Sequence, residues 1–261
     1  MAGRRRPWYD ELFRSGDYVR FWLGGEDTPL IPPESTERQV AFVREALALP
    51  AGAAILDLCC GHGRHAIPLA QAGYRVTGLD LAARHLQMAR EAAKKAGVSV
   101  DWLRADMRRI PDELGGRFDA VINMATAFGY LESDAEDQKV LDGVGRALKP
   151  GGRFLIDFIN REATIRRFLA KDWEERGDAV VLHSRRLDFQ TGRNQDDITI
   201  IERDGSRRTT GTAARVYTLA ELIAMMGRAG LRFRRAWGDF EGGELSLDSR
   251  RLIVLAEKEG R

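Results

Sequence analysis

From Ala53 onward, short apolar runs alternate with stretches in which apolar residues recur every three or four positions. The runs AAILDL, YRVTGLD, VSVDWLRAD, FDAVINM and RFLIDFI read as strands; HAIPLAQAG, LAARHLQMAREAAKKAG and QKVLDGVGRALKPGG, lying between them, read as helices. Parallel strands need a long crossover, so the alternation predicts a mostly parallel α/β sheet with helices on both faces. Pro68 fits a helix that starts near Arg64, because the first N–H groups of a helix have no intrahelical acceptor.

Upstream, WYDELFRSGDYVRFWL (residues 8–23) has the mixed spacing of one or two short amphipathic helices. STERQVAFVREALAL predicts a helix with Ser35 or Thr36 as N-cap and an apolar face of Val40, Val43 and Leu47, ended by Pro50 and Gly52. The pattern changes at 173–217, where VVLHSRRLDF, QDDITIIERD and RRTTGTAARVYT are strand-like and are joined by the turn sequences QTGRN and Asp204-Gly205. TLAELIAMMGRAG restores a helix with Thr218 as N-cap, and the strands LRFRRAW and RRLIVLAEK follow. The expected organisation is an N-terminal helical cap (1–52), an α/β core (53–160), an antiparallel β insertion (161–217) and the remainder of the core (218–261). The insertion reads equally as a pocket lid or as a homodimer surface.

With 261 residues, 44% hydrophobic and 31% charged, the chain has the composition of a globular domain with a sizeable core. Forty-one basic and 39 acidic side chains leave a net charge of +2, which gives no whole-molecule field strong enough to argue for nucleic acid, an unlikely partner. Arg4–Arg6 and Arg232, Arg234 and Arg235 read as solvated surface. Cys59 and Cys60 are adjacent, a poor geometry for a relaxed disulfide, and suit a reducing compartment. Neither a signal peptide nor a run of 18 apolar residues is evident, so a cytoplasmic protein without a membrane partner is expected.

ILDLCCGHGRHA (residues 55–66) carries the chemistry. A strand ending at Asp57, a tight turn through Gly61 and Gly63, and a helix directly afterwards surround one cavity with main-chain N–H groups and a carboxylate. Ligands of open α/β sheets bind at this carboxyl edge. Gly61, Gly63 and Ala66 also fit G-x-G-x-x-A, a weak signal alone. Asp80 ends the second strand, where a carboxylate can accept from ribose hydroxyls, and its bland alternative is a helix N-cap. Asp106 and Met107 end the third, suited to an exocyclic amine and a purine face. An acid at Asp57 suits a cation and would repel a pyrophosphate, which disfavours an NAD-dependent oxidoreductase.

In order, DLCCGHGRH, GLDLA, ADMRRIP, FDAVINMATAFGY and LKPGGRFLID resemble the successive motifs of class I S-adenosylmethionine-dependent methyltransferases, over roughly residues 35–160. WYDELFRSGDYVRFW, the insertion, RVYTLAEL and DSRRLIVLA are similar, more weakly, to a bacterial subgroup thought to include amine methyltransferases of small molecules. The resemblance implies a doubly wound seven-stranded sheet of order 3-2-1-4-5-7-6 with the last-inserted strand antiparallel. It also implies S-adenosyl-L-methionine as cofactor and S-adenosyl-L-homocysteine as product. Carried onto this chain, Asp57, Cys59, Gly61 and Gly63 would surround the methionine part, Asp80 and Leu81 the ribose, and Asp106 and Met107 the adenine. Asn123 and Met124 would lie beside the sulfonium, Arg64 would pair with the cofactor carboxylate, and Tyr9 and Tyr18 would close over it. Surface pairing for Arg64 and helix packing for the tyrosines are the plain alternatives.

The expected reaction is in-line methyl transfer to a small molecule, to an amine ahead of a hydroxyl. Asn123-Met124-Ala125-Thr126 lacks the Asn-Pro-Pro-aromatic pattern of base-amino methyltransferases, no cysteine lies away from the cofactor turn for C5 chemistry, and no acid cluster for a metal can be assembled. No catalytic residue is assigned. Tyr130, Asn160 and His183 are candidates, with Phe128 beside the acceptor, although loop packing is the stronger reading of Phe128 and Tyr130 and a structural role that of His183. A non-catalytic binding module, an RNA methyltransferase and an oxidoreductase stay open as alternatives. Asp80→Ala is expected to weaken cofactor binding and leave the fold intact.

Overall fold

Five successive buried residues form β1 (Ala54–Leu58) in the computed structural model, which describes residues 32–260. The helices expected within residues 8–23, with Tyr9 and Tyr18, lie outside the described residues. β2 (Arg75–Asp80), β3 (Asp101–Arg104), β4 (Phe118–Asn123) and β5 (Leu148–Ile159) follow, with α1 (Pro33–Leu47) before β1. The crossovers are α2 (Ala66–Gln71), α3 (Ala83–Lys95) and α4 (Asp134–Ala147), and a short α5 (Arg161–Arg166) leaves β5.

The chain divides into two compact units, one containing Thr164–Val216 and the other Pro33–Ala163 with the chain from Tyr217 onward. The first holds an antiparallel sheet in the order β6 (Lys171–Arg176), β7 (Ala179–Asp188), β8 (Arg193–Ile201) and β9 (Arg207–Arg215). Ala179, Val181, Ile198 and Ile200 form its small core. β6 has no counterpart in the sequence reading: KDWEER carries a single large apolar residue, Trp173, and that side chain is exposed. Its signal as a strand is therefore the pairing with β7 rather than an apolar face.

The second unit resumes with α6 (Leu219–Arg228), β10 (Leu231–Trp237) and β11 (Arg251–Lys258). Its sheet has the order β3-β2-β1-β4-β5-β11-β10, which is 3-2-1-4-5-7-6 when its own strands alone are numbered, as expected. β11 runs antiparallel to both β5 and β10, whereas the pairs from β3 through β5 are parallel. This doubly wound arrangement reverses strand order between β1 and β4, the crevice where such sheets bind ligands.

α1 begins at Pro33, before the expected N-caps, since a proline loses nothing at a first helical position. Ser35 instead accepts from Gln39 within the helix at 3.2 Å. The predicted face holds: Val40, Val43 and Leu47, joined by Phe42, pack with Ile55, Ile122, Trp237 and Ile253. α2 starts two residues after Arg64 and keeps Pro68 in its first turn. Thr218 caps α6 through a capping box with Glu221. α4 and α6 meet at Gly145, where a Cβ would stand 2.3 Å from the carbonyl oxygen of Ala229. Gly145→Ala is expected to destabilise the protein by roughly 1–3 kcal/mol, measured by chemical denaturation, because the obstructing atom is backbone.

Candidate cofactor site

The carboxyl end of β1 turns back on itself within a few residues. Cys59, Gly61 and Gly63 all have positive φ (64°, 55° and 86°), and the N–H groups of Cys59 and Cys60 both donate to the carbonyl of Leu79, which ties the turn to β2. Two glycines face the Trp102 ring: a Cβ on Gly63 would lie 2.8 Å from it, and one on Gly78 2.6 Å. Gly61 is different, since a Cβ there would meet nothing within 4 Å. This part of the turn is open to an approaching ligand.

Asp80 fastens two loops together. Its Oδ2 accepts from the Gly61 N–H at 2.9 Å and its Oδ1 from the Ala82 N–H at 2.8 Å. Ala82, not Asp80, is the N-cap of α3. These protein partners correct the expectation that Asp80→Ala would spare the fold. The variant is expected to lose roughly 1–3 kcal/mol of stability along with cofactor affinity, followed by thermal melting and calorimetry. Leu81 is half-buried beside it, and its carbonyl accepts from Arg104 at 3.3 Å.

Asp57 is 1% exposed, and its Oδ2 has no hydrogen-bond partner among the described residues. Burial pushes its pKa from 3.8 up to about 7, with Arg64 opposing and Asp80 reinforcing the rise. The adjacent thiols are pushed up too, by burial first and then by neighbouring carboxylates, so neither cysteine is a thiolate nucleophile. Cys59 Sγ lies 3.4 Å from Met107 Sδ, which brings the ends of β1 and β3 together. Burial lowers His62 to about 4 and holds His65 well below its ordinary range.

Arg64 donates to Thr36 Oγ1 at 3.1 Å and to Gln39 Oε1 at 2.8 Å, and His65 meets the same Gln39 oxygen at 2.9 Å. Asp106 is heavily engaged: Arg108 reaches it through Nε and Nη2, the latter at 2.6 Å, and through its main-chain N–H, while also pairing with Glu136. That pairing outweighs partial burial and holds the Asp106 pKa low, so it stays a carboxylate. Asn123 is fully buried and donates to the carbonyl of Leu58 at 2.9 Å, joining β4 to β1.

A methyltransferase-domain family model matches residues 55–152, the segment that builds this edge. The chain is 33% identical over 145 residues to a ubiquinone biosynthesis O-methyltransferase of Pectobacterium atrosepticum, covering 55% of this chain and 58% of that enzyme. It resembles the CcbJ methyltransferase of Streptomyces caelestis with a TM-score of 0.80 and 23% identity, over 95% of this chain and 98% of that one. It also resembles S-adenosylmethionine-bound CalS10, an amino pentose methyltransferase of Micromonospora echinaspora, with a TM-score of 0.62 and 24% identity, over 86% and 90%. Residues 55–152 carry a methyltransferase domain, in a fold shared with S-adenosylmethionine-dependent methyltransferases. The chain spans about half the length of most of the curated relatives it matches.

The residues present fit the domain's cofactor, S-adenosylmethionine. A buried, unpartnered carboxylate oxygen on Asp57 calls for a cation, and the open turn at Gly61 leaves room for one to approach the main chain. Met124, expected beside the sulfonium, packs in the core with Val43, Ile122 and Trp237. Phe128, expected beside the acceptor, is buried against Phe158 and Tyr217. Tyr130 lies half-buried in the loop between β4 and α4. Asn160 donates to the carbonyls of Ser246 (2.9 Å) and Ser249 (2.8 Å) and accepts from Glu162 N–H, so it anchors a loop. His183 lies in the other unit with both ring nitrogens at carboxylates, Asp196 at 2.8 Å and Glu174 at 3.1 Å. Pairing of this kind suits a buttress of the four-stranded sheet.

The sequence reading missed the turn after β4. Ala125 and Thr126 both have φ near 58°, a left-handed conformation that disfavours side chains by roughly 1–2 kcal/mol per residue. The signal available was Asp157, an acid inside the apolar run RFLIDFI. It is 2% exposed, and Ala125 N–H donates to its Oδ2 at 2.9 Å.

Proposed function

We propose that this chain transfers the methyl group of S-adenosylmethionine to the amine nitrogen of a small molecule. The observation that carries the cofactor half is Asp57, a buried carboxylate with an unpartnered oxygen next to the glycine turn. When bound, the cofactor supplies a methyl group activated on a cationic sulfur. The chain supplies position. Asp57 and Cys59 with the Gly61–Gly63 turn would hold the methionine part, Asp80 the ribose, and Met107 the adenine. Asp106 is the least available of these, because Arg108 occupies both of its oxygens.

Aligning nucleophile and methyl can contribute roughly 7–11 kcal/mol to lowering the barrier without any covalent enzyme intermediate. An amine must reach the site unprotonated. Low-pKa histidines do not serve as the base near neutral pH merely by being present, and His62 and His65 remain neutral through this range. Transfer to an amine is supported by the amino-sugar methyltransferase of like fold, and transfer to a hydroxyl by the O-methyltransferase relative. Incubation with methyl-labelled cofactor and panels of small amines and phenols distinguishes them by mass spectrometry. A labelled amine product is expected. Label only on phenols overturns the amine assignment, and label on neither panel, with S-adenosylhomocysteine bound when added but never formed, favours a passive binding module.

A further inference from the structure

Among the described residues, the only two consecutive non-glycine residues with positive φ lie at the carboxyl end of β4, next to the crevice between β1 and β4. Ala125 and Thr126 are consecutive left-handed residues, neither of them glycine. Such strain persists only where its surroundings over-determine it. Here the surroundings are two residues, Asp157 and Arg251. Asp157 Oδ2 accepts the Ala125 N–H at 2.9 Å, and the Asp157 carbonyl accepts the Thr126 N–H at 3.1 Å. Arg251, at the start of β11, donates through Nε to Asp157 Oδ1 at 2.6 Å and through Nη2 to Thr126 Oγ1 at 2.8 Å. One ion pair thus fixes both residues of the turn, from strands remote in sequence.

We propose that Asp157 and Arg251 are positioning residues for methyl transfer, holding the Ala125–Thr126 turn in the conformation that lines the transfer edge. The inference rests on the methyltransferase reading above. The trans peptide is planar, so N–H groups directed at Asp157 turn the preceding carbonyls of Met124 and Ala125 the other way. Relaxing the turn to right-handed geometry would redirect those carbonyls and alter the polar lining near the methyl group. The contact between Asn123 and Leu58 keeps this turn in register with the cofactor bend on β1. Neither Asp157 nor Arg251 needs to touch the cofactor for this role.

The test compares two probes in the full chain by calorimetry. S-adenosylhomocysteine lacks the transferred group; sinefungin carries an amine in its place, on a carbon that replaces the sulfur. In Asp157→Ala, the affinity for sinefungin is expected to fall about tenfold more than that for S-adenosylhomocysteine, equivalent to about 1.4 kcal/mol. Hydrogen exchange in the peptide spanning 123–131 should accelerate. Adding Ala125→Gly and Thr126→Gly, which make left-handed backbone free of steric cost, should restore most of the discrimination. Thr126→Val cuts the Arg251 contact alone, and carries the same prediction at smaller size if Asp157→Ala fails to fold. Equal weakening of both probes, or no recovery with glycine, overturns the positioning role. Failure of the wild-type chain to bind S-adenosylhomocysteine at all would instead overturn the methyltransferase reading on which it rests.

Discussion

Replacing Asp57 by asparagine is expected to make the cofactor-free protein more stable at pH 8, by roughly 4 kcal/mol. The size follows from the rise of the Asp57 pKa from 3.8 to about 7 on folding, which burial causes. A raised pKa means that the folded state binds the proton more tightly than the unfolded chain. Stability from this group is therefore full below pH 4, falls as pH rises towards 7, and is flat above. His62 and His65, held neutral by burial, act in the opposite direction below about pH 6.5, so the wild-type profile alone mixes the two effects. The difference between Asp57→Asn and wild type isolates the carboxylate. Chemical denaturation at pH 5 and pH 8 should show a gain at pH 8 that shrinks at pH 5; a gain of the same size at both would mean the group is not shifted.

The same substitution should weaken S-adenosylmethionine binding and flatten its pH dependence. In the wild type, a cationic ligand prefers the ionised carboxylate, so affinity should climb towards pH 7 and then level off. Stability and binding thus move in opposite directions on one side chain, the pattern of a functional group maintained at the expense of the fold. Calorimetric titrations at pH 6 and pH 8 supply the check.

Gly63→Ala carries the second large effect. At φ +86° an alanine is strained, and its Cβ would stand 2.8 Å from Trp102 and 3.1 Å from Ile67. Backbone strain and overpacking together give a loss of roughly 2–5 kcal/mol. Gly61→Ala meets no such obstruction, so only the conformational strain at φ +55° applies to it. Its added methyl projects into the open part of the turn. Gly61→Ala should therefore lose cofactor affinity at least about tenfold with a smaller drop in melting temperature, whereas Gly63→Ala should fail chiefly in stability. A reversed ranking would show that the ligand approaches the turn from the Trp102 side.

Much of the sheet was readable because three of its strands end in or near a distinctive residue: Asp57 near the end of β1, Asp80 at the end of β2, and Asn123 at the end of β4. Local periodicity also revealed the buried faces of α1 and the cap of α6. What stayed hidden depended on partners distant along the chain. Asp106 reads as a free acceptor until Arg108 folds back onto it and reaches Glu136, 28 residues away. Asn160 looked available for chemistry, but its two acceptors lie 86 and 89 residues downstream. Arg251 meets Asp157 across 94 residues, a separation at which no spacing rule operates. β6 escaped because an edge strand with charged neighbours shows no apolar alternation.

β11 occupies an interior place in the seven-stranded sheet although, among the described residues, it comes last of that sheet's strands in chain order. During synthesis at roughly 5–20 residues per second, β5 must wait with one flank bare while the 91 residues between Ile159 and Arg251 leave the ribosome. A nascent chain stalled before Arg251 can contain the whole glycine bend and yet lack the guanidinium that secures the turn after β4. Loss of the chain from Arg251 onward would leave that edge of β5 unpaired, a bare strand edge that invites pairing with other chains rather than a smaller working sheet.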